Sequence, residues 1–208
     1  MKIVIATNNP DKFIQMTKAL SILGKKHTFL SLDDIGYHKP IKENGKTFEE
    51  NSLLKAKQVC KETGYVTIAD DSGLCVDTLK GKPGVYTNRY AGVDATRLQQ
   101  LLKLLHAVQH IDDPKRTAQF VCVITCMFPD GKIIQTKGIL KGKLSKKIIN
   151  IENGLTHDPI FIPKNYNKTM SKLSLKEKLK INHRGQAIRK LIAILQKKEK
   201  EKCSISIA

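Results

Sequence analysis

The chain has 208 residues, 40% apolar and 27% charged, with a formal net charge of +18. That is enough for a substantial core, and no apolar run approaches the ~20 residues a membrane-spanning helix needs. The short apolar stretch after Lys2 is also too brief for a secretory signal, so a cytoplasmic protein away from membranes is expected. Five cysteines (Cys60, Cys75, Cys122, Cys126, Cys203) form an odd set without a CxxC pair, which points to small core thiols in a reducing compartment.

KIVIA reads as a buried strand, entering a helix through TNNPDK. Asn9 suits the N-cap, Pro10 the first helical position, and Phe13, Met16, Leu20 and Leu23 recur at helical spacing. TFLSL (28–32) reads as a second strand, followed by a loop with Gly36, Pro40 and Gly45. TFEENSLLKAKQVCKET is a second helix with a Thr47–Glu50 capping box. VTIAD is expected to be one strand and LCVDTL another, with the Asp70–Asp71 pair at a strand end and GKPGVYTNRYAG as a loop. DATRLQQLLKLLHAV is an amphipathic helix, and TAQFVCVITCMF and KIIQTKGIL flank the PDG turn as a hairpin. Cys122 and Cys126 fall on one face of that hairpin's first strand. DPIFIP is a short strand, SLKEKLKI a helix behind the Ser174–Glu177 capping box, and a last helix runs from near Arg184. The chain reads as a single domain over 1–208, with about 199–208 frayed. Strands alternating with helices plus one hairpin make the class α/β with a mixed sheet.

Chemistry-bearing residues gather at the ends of these elements. The helix start at TNNPDK offers N–H groups and Lys12 to an anion, although many helices begin with Asn-Pro for capping alone. Lys55 lies two turns into the second helix, and Glu43 lies in the loop before it. IADDSGL places two carboxylates, a hydroxyl and a glycine together. Turns favour those residues, and magnesium bound with phosphate favours one or two carboxylates. Lys178, His183 and Arg184 surround the last helix start. Only 5 of the 37 basic residues are Arg and no aromatics interleave the Lys runs, so the charge reads as solvated faces or diffuse attraction to polyanions, with no specific nucleic-acid site expected.

TNNPDK, ENGKTFEENSLLKAK, IADDSGLCVD, GVYTNRYAG, DPIF and INHRGQA occur in this order over nearly the whole chain. Together they resemble the inosine triphosphate pyrophosphatase-like family, and within it the bacterial dITP/XTP pyrophosphatases. The resemblance implies a mixed α/β fold with two lobes around a substrate cleft, and a homodimer. It implies Mg²⁺-dependent hydrolysis of ITP, dITP and XTP to the monophosphate and pyrophosphate, which cleanses the nucleotide pool. On this reading Asp71 is the base that takes the water's proton, and Glu43 and Asp71 hold Mg²⁺. Thr7, Asn9, Lys12 and Lys55 cradle the triphosphate, Asn8, Pro10, Asp11 and Ser72 face the substrate, and Lys178 also serves it. Asp70 is assigned support and no chemistry. A 6-oxopurine shows an acceptor at O6 and a donor at N1, which a carboxylate with a cationic donor matches. Asp158 and Arg184 are the expected pair, with His183 beside them.

The resemblance breaks at NGLTHDPIF, where family members read GFGYDPIF. Leu155 replaces the stacking aromatic, Thr156 a Gly, and His157 a Tyr. Base–aromatic stacking is worth about 1–3 kcal/mol per base, so weaker base binding is expected. Asn88 also stands where a small residue is usual. Two competing readings remain: a basic nucleic-acid-binding protein, and a nucleotide binder of the same fold with eroded catalysis.

Overall fold

The computed structural model describes residues 1–152 and 156–205, with side chains through Lys198. Six strands form one mixed sheet in the order β2-β1-β3-β4-β5-β6. They are β1 (Lys2–Ile5), β2 (Thr28–Leu30), β3 (Val66–Val76), β4 (Thr117–Met127), β5 (Ile133–Leu144) and β6 (Phe161–Pro163). β1 pairs in parallel with β2 and β3, with Val4 opposite Leu30 and Thr67, and β5 pairs antiparallel with β6. The helices are α1 (Pro10–Leu20), α2 (Phe48–Thr63), α3 (Arg97–Ala107), α4 (Leu175–Ile181) and α5 (His183–Ile205).

Two compact units share this chain. The first comprises Met1–Asp71, Val123–Gly138 and Arg184–Ala208, the second Ser72–Cys122 and Ile139–His183. The first unit packs Val4, Ala6, Val59, Cys60, Ala69 and Met127 into one core. The second packs Leu74, Leu101, Leu104, Phe120, Leu144 and Phe161. Cys60, Cys122 and Cys126 are buried thiols outside any disulfide, and burial pushes the Cys126 thiol up to about 12, which keeps it unreactive.

Helix starts follow the expected chemistry. Asn9 Oδ1 accepts from Lys12 N–H at 3.0 Å, with Pro10 opening α1. The Ser174–Glu177 box is complete, the Ser side chain accepting from Glu177 N–H while Glu177 accepts from Ser174 N–H at 2.7 Å. The Thr47–Glu50 box is only half formed. Thr47 caps the Glu50 N–H, but the Glu50 carboxylate accepts from Lys46 N–H at 2.6 Å instead of Thr47 N–H.

Two expectations are corrected. VTIAD and LCVDTL belong to one strand, because β3 runs unbroken through ADDSG before a 3₁₀ turn at Asp77–Leu79. Turn propensity loses here because nine of the eleven β3 residues are buried and both aspartates meet cations. TFLSL is a strand only to Leu30, since Ser31 and Asp34 cap each other to open a 3₁₀ turn. α5 keeps a helical backbone through Ile205, and the last three residues of the tail expected to fray lie outside the described residues.

Candidate active site

Alternation along β3 sends Asp70 and Asp71 to opposite faces of the strand. Asp70 is 1% exposed. Its Oδ2 lies 3.2 Å from Lys12 Nζ and accepts from Arg184 Nη2 at 3.1 Å and Nε at 3.3 Å. Gln15 Oε1 accepts from Arg184 Nη1 at 2.9 Å, fixing the guanidinium. Burial raises the Asp70 pKa, yet Lys12, Arg184 and Lys55 outweigh it, and the carboxyl is held well below the usual carboxylate range.

Asp71 meets α2. Asn51 Nδ2 donates to its Oδ2 at 3.1 Å, and Lys55 Nζ lies 3.8 Å from its Oδ1. Asn51 and Lys55 are one turn apart, so both face the strand. The same Lys55 Nζ donates to Glu43 Oε1 at 2.7 Å. Burial pushes the Asp71 pKa up, against the pull of Lys55 and the Asn51 hydrogen bond. For Lys55, burial acts to lower the pKa, but Asp70, Asp71 and Glu43 together raise it, so the ammonium stays charged.

Gly45 ties the Glu43 loop to this cluster. Its N–H donates to Asn51 Oδ1 at 2.8 Å, and a Cβ there would lie 2.7 Å from Glu50 Cβ and 2.8 Å from Asn51 Oδ1. Only glycine allows that approach. At the start of α1, Thr7 Oγ1 accepts from Asn9 N–H at 3.2 Å, while Asn8, Asn9, Pro10 and Asp11 are exposed.

The second unit has its own buried polar group. Lys178 Nζ donates to Asp158 Oδ2 at 3.0 Å, both side chains at least nine-tenths buried. His183 stacks on Phe120, ring centroids 4.9 Å apart, and Phe120 packs on Phe161 at 4.6 Å. His157 is buried, and burial with nearby Arg97 pushes its pKa down to about 4. Thr156 O accepts from Arg97 Nε at 3.5 Å. Ser72 is half-buried at the start of this unit. Leu155 lies outside the described residues.

The structure thus joins Glu43, Lys55 and Asp71, joins Lys12 to the Asp70 side of β3, and joins Asp158 to Lys178. Arg184, expected as the donor beside Asp158, belongs to the first unit and is held by Asp70 and Gln15. Within the second unit Asp158 is held by Lys178. Sequence reasoning missed Asn51 and Gln15. Asn51 was within reach, being a polar residue one turn before Lys55 on the same helical face.

The sequence pattern of the Ham1 family matches residues 3–194. The chain belongs to the Ham1 family. A dITP/XTP pyrophosphatase of Bacillus licheniformis is 41% identical over 194 residues, covering 93% of this chain and 97% of the relative. One from Thermus thermophilus is 41% identical over 192 residues, covering 92% and 90%. Among solved structures, the Staphylococcus aureus Ham1 protein superposes with a TM-score of 0.85 at 36% identity, covering 95% of this chain and all of that one. A Ham1 protein from Coxiella burnetii gives 0.85 at 34% identity, covering 95% and 99%. These Ham1 matches run through both units.

Proposed function

We propose that this chain hydrolyses non-standard purine nucleoside triphosphates (ITP, dITP, XTP) to the monophosphate and pyrophosphate, cleansing the nucleotide pool of the cytoplasm as a homodimer. The observation that carries the reading is the cluster of Asp71, Glu43 and Lys55 beside the Asp70–Lys12–Arg184 group in a Ham1 chain. The names of its relatives set the reaction class.

Asp71 is the general base. Burial raises its pKa toward the operating pH, which strengthens it as a proton acceptor. It takes a proton from water as the water oxygen bonds to the α-phosphorus, and the pyrophosphate leaves with the bridging oxygen. Lys12 and Lys55 carry positive charge to the phosphates, with the α1 N-terminus from Thr7 to Asp11 adding N–H donors. Asp70 is the positioning residue that holds Lys12 and Arg184.

The donor set fits magnesium. Glu43 and Asp71 supply hard carboxylate oxygens, and Mg²⁺ in phosphate chemistry takes one or two of these and fills its shell with water and phosphate. When bound, the ion neutralises phosphate charge. Asp158 accepts from the purine N1–H and the Lys178 ammonium supplies the donor for O6, with His183 beside them. An adenine edge, with its donor and acceptor reversed, leaves that pair unsatisfied.

The test is a panel of nucleoside triphosphates with Mg²⁺, with monophosphate and pyrophosphate measured as products. ITP, dITP and XTP should turn over far faster than ATP. If none is hydrolysed while nucleotide still binds, the fold serves as a nucleotide binder and the catalytic reading fails.

A further inference from the structure

β5 and β6 pair with Gly142 opposite Pro163 and Lys143 opposite Ile162. One step further, Lys164 N–H donates to Lys141 O at 2.8 Å, so Lys141 and Lys164 stand opposite each other. Alternation puts Lys143 on the same face as Lys141. Like charges directly opposite on a sheet destabilise it. Lys143 is offset by Asp113, at 3.1 Å, but neither Lys141 nor Lys164 has an ion-pair partner among the described residues.

These lysines line a cavity of about 580 Å³ whose walls all belong to the second unit. Its floor includes Ile162 and Pro163, Thr117 and Gln119 offer neutral hydrogen bonds, and Asp77 is its only carboxylate. At its mouth Asn165 adopts φ 68° and Tyr166 N–H donates to Pro163 O at 3.0 Å. That tight turn carries Lys164 and the Tyr166 ring to the same opening. The surrounding sequence is strongly basic, with ten lysines against three carboxylates over residues 139–183.

We infer that this cavity is a second ligand site, separate from the Asp71 cluster, which takes a phosphate ester carrying two or more phosphates. The opposed ammonium groups of Lys141 and Lys164 bridge neighbouring phosphates, and the anion relieves their repulsion. Tyr166 with Ile162 and Pro163 gives apolar surface to an organic moiety, and the volume suits a nucleotide-sized ligand. A strand of nucleic acid fits less well, because no arginine lines the cavity and Tyr166 is its one aromatic.

The test is calorimetric titration of the full chain with inorganic tripolyphosphate, without Mg²⁺, at 0.15 M salt. Wild type should bind two equivalents. K141Q/K164Q should bind one, with the KM and kcat for ITP within twofold of wild type, and K12A should weaken the other equivalent. Binding stoichiometry remains readable even if ITP is not a substrate. Without ligand, K164Q should melt at a higher temperature than wild type, and tripolyphosphate should raise its melting point less. Unchanged stoichiometry in K141Q/K164Q overturns the site. So does an equal loss in K57Q/K61Q, which removes two exposed α2 lysines and would reveal diffuse attraction. Preferential binding of a single-stranded oligonucleotide, lost in K141Q/K164Q, would overturn the small-molecule assignment.

Discussion

Asp70 and Asp71 are the same residue type, adjacent in one strand and both buried, yet their two faces of β3 treat them oppositely. On one face two cations lie within hydrogen-bonding distance of Asp70, and its carboxyl is held far down. On the other, Asp71 has an amide donor and one ammonium at 3.8 Å, and burial prevails. Desolvation costs both, and the number and distance of compensating charges decide the outcome. The over-compensated carboxylate is fit to hold other groups in place. The under-compensated one is fit to accept a proton.

Exchanging each carboxylate for its amide tests that division. Asp71→Asn should lower kcat for ITP between about a hundredfold and ten-thousandfold, while nucleotide binding survives and the denaturant midpoint hardly moves. Equal turnover would remove Asp71 as the base. Asp70→Asn should act mainly on stability, costing about 3–5 kcal/mol, because Lys12 and Arg184 would lose their buried counter-charge. Chemical denaturation of the two variants side by side reads this, and equal stability would erase the contrast. Acid should separate them further. Asp70, with a lowered folded pKa, contributes stability above about pH 3.8 that is lost as pH falls below it. Asp71, with a raised folded pKa, contributes the other way, its penalty being relieved on protonation.

A buried titratable group without compensation extends the comparison. His157 Nε2 has no hydrogen-bond partner among the described residues, and its pKa falls to about 4. Between about pH 6.5 and 4 the unfolded chain binds this proton and the folded chain does not, so stability should fall on acidification by up to about 1.4 kcal/mol per pH unit. His157→Gln should flatten the melting temperature over that window, and an unchanged slope would show the ring to be solvated. The smallest effect concerns Lys55, whose ammonium neutralises Glu43 and Asp71 together. Lys55→Met should raise Mn²⁺ affinity in the absence of nucleotide by about tenfold, or roughly 1.4 kcal/mol, as read by paramagnetic resonance. No gain would show that Lys55 does not compete for the carboxylates.

Much of this was legible in the sequence because local chemistry decided it. Asn9, Pro10, Ser174 and Glu177 act through their own backbone neighbourhoods, and the helix starts fall where they indicate. β3 was misread because Asp, Ser and Gly carry strong turn signals, while burial of a central strand is a tertiary fact. The half-formed box at Thr47 has a local origin instead, since Lys46 N–H competes for the Glu50 carboxylate. Among site residues, motif resemblance supplied Glu43, Lys55 and Asp71, which the fold then brought together from a loop, a helix and a strand. It gave no sight of Gln15 holding Arg184, a contact across 169 positions of sequence. The pairing of Asp158 with Lys178 was equally hidden, since a carboxylate's partner is chosen by packing.

The unbroken course of β3 also governs the timescale of the site. A reactive carboxylate on a mobile loop must be gathered into place at each turnover, and its backbone amide exchanges with solvent in local openings. β3 is flanked by β1 and β4, so the amide hydrogens of the stretch paired with β1, Val66–Ile68, should exchange only through large-scale opening. Asp71 continues that same strand, so the proton acceptor stands on strand backbone and not on a loop. Any slow step that involves motion must belong to the groups that come to Asp71.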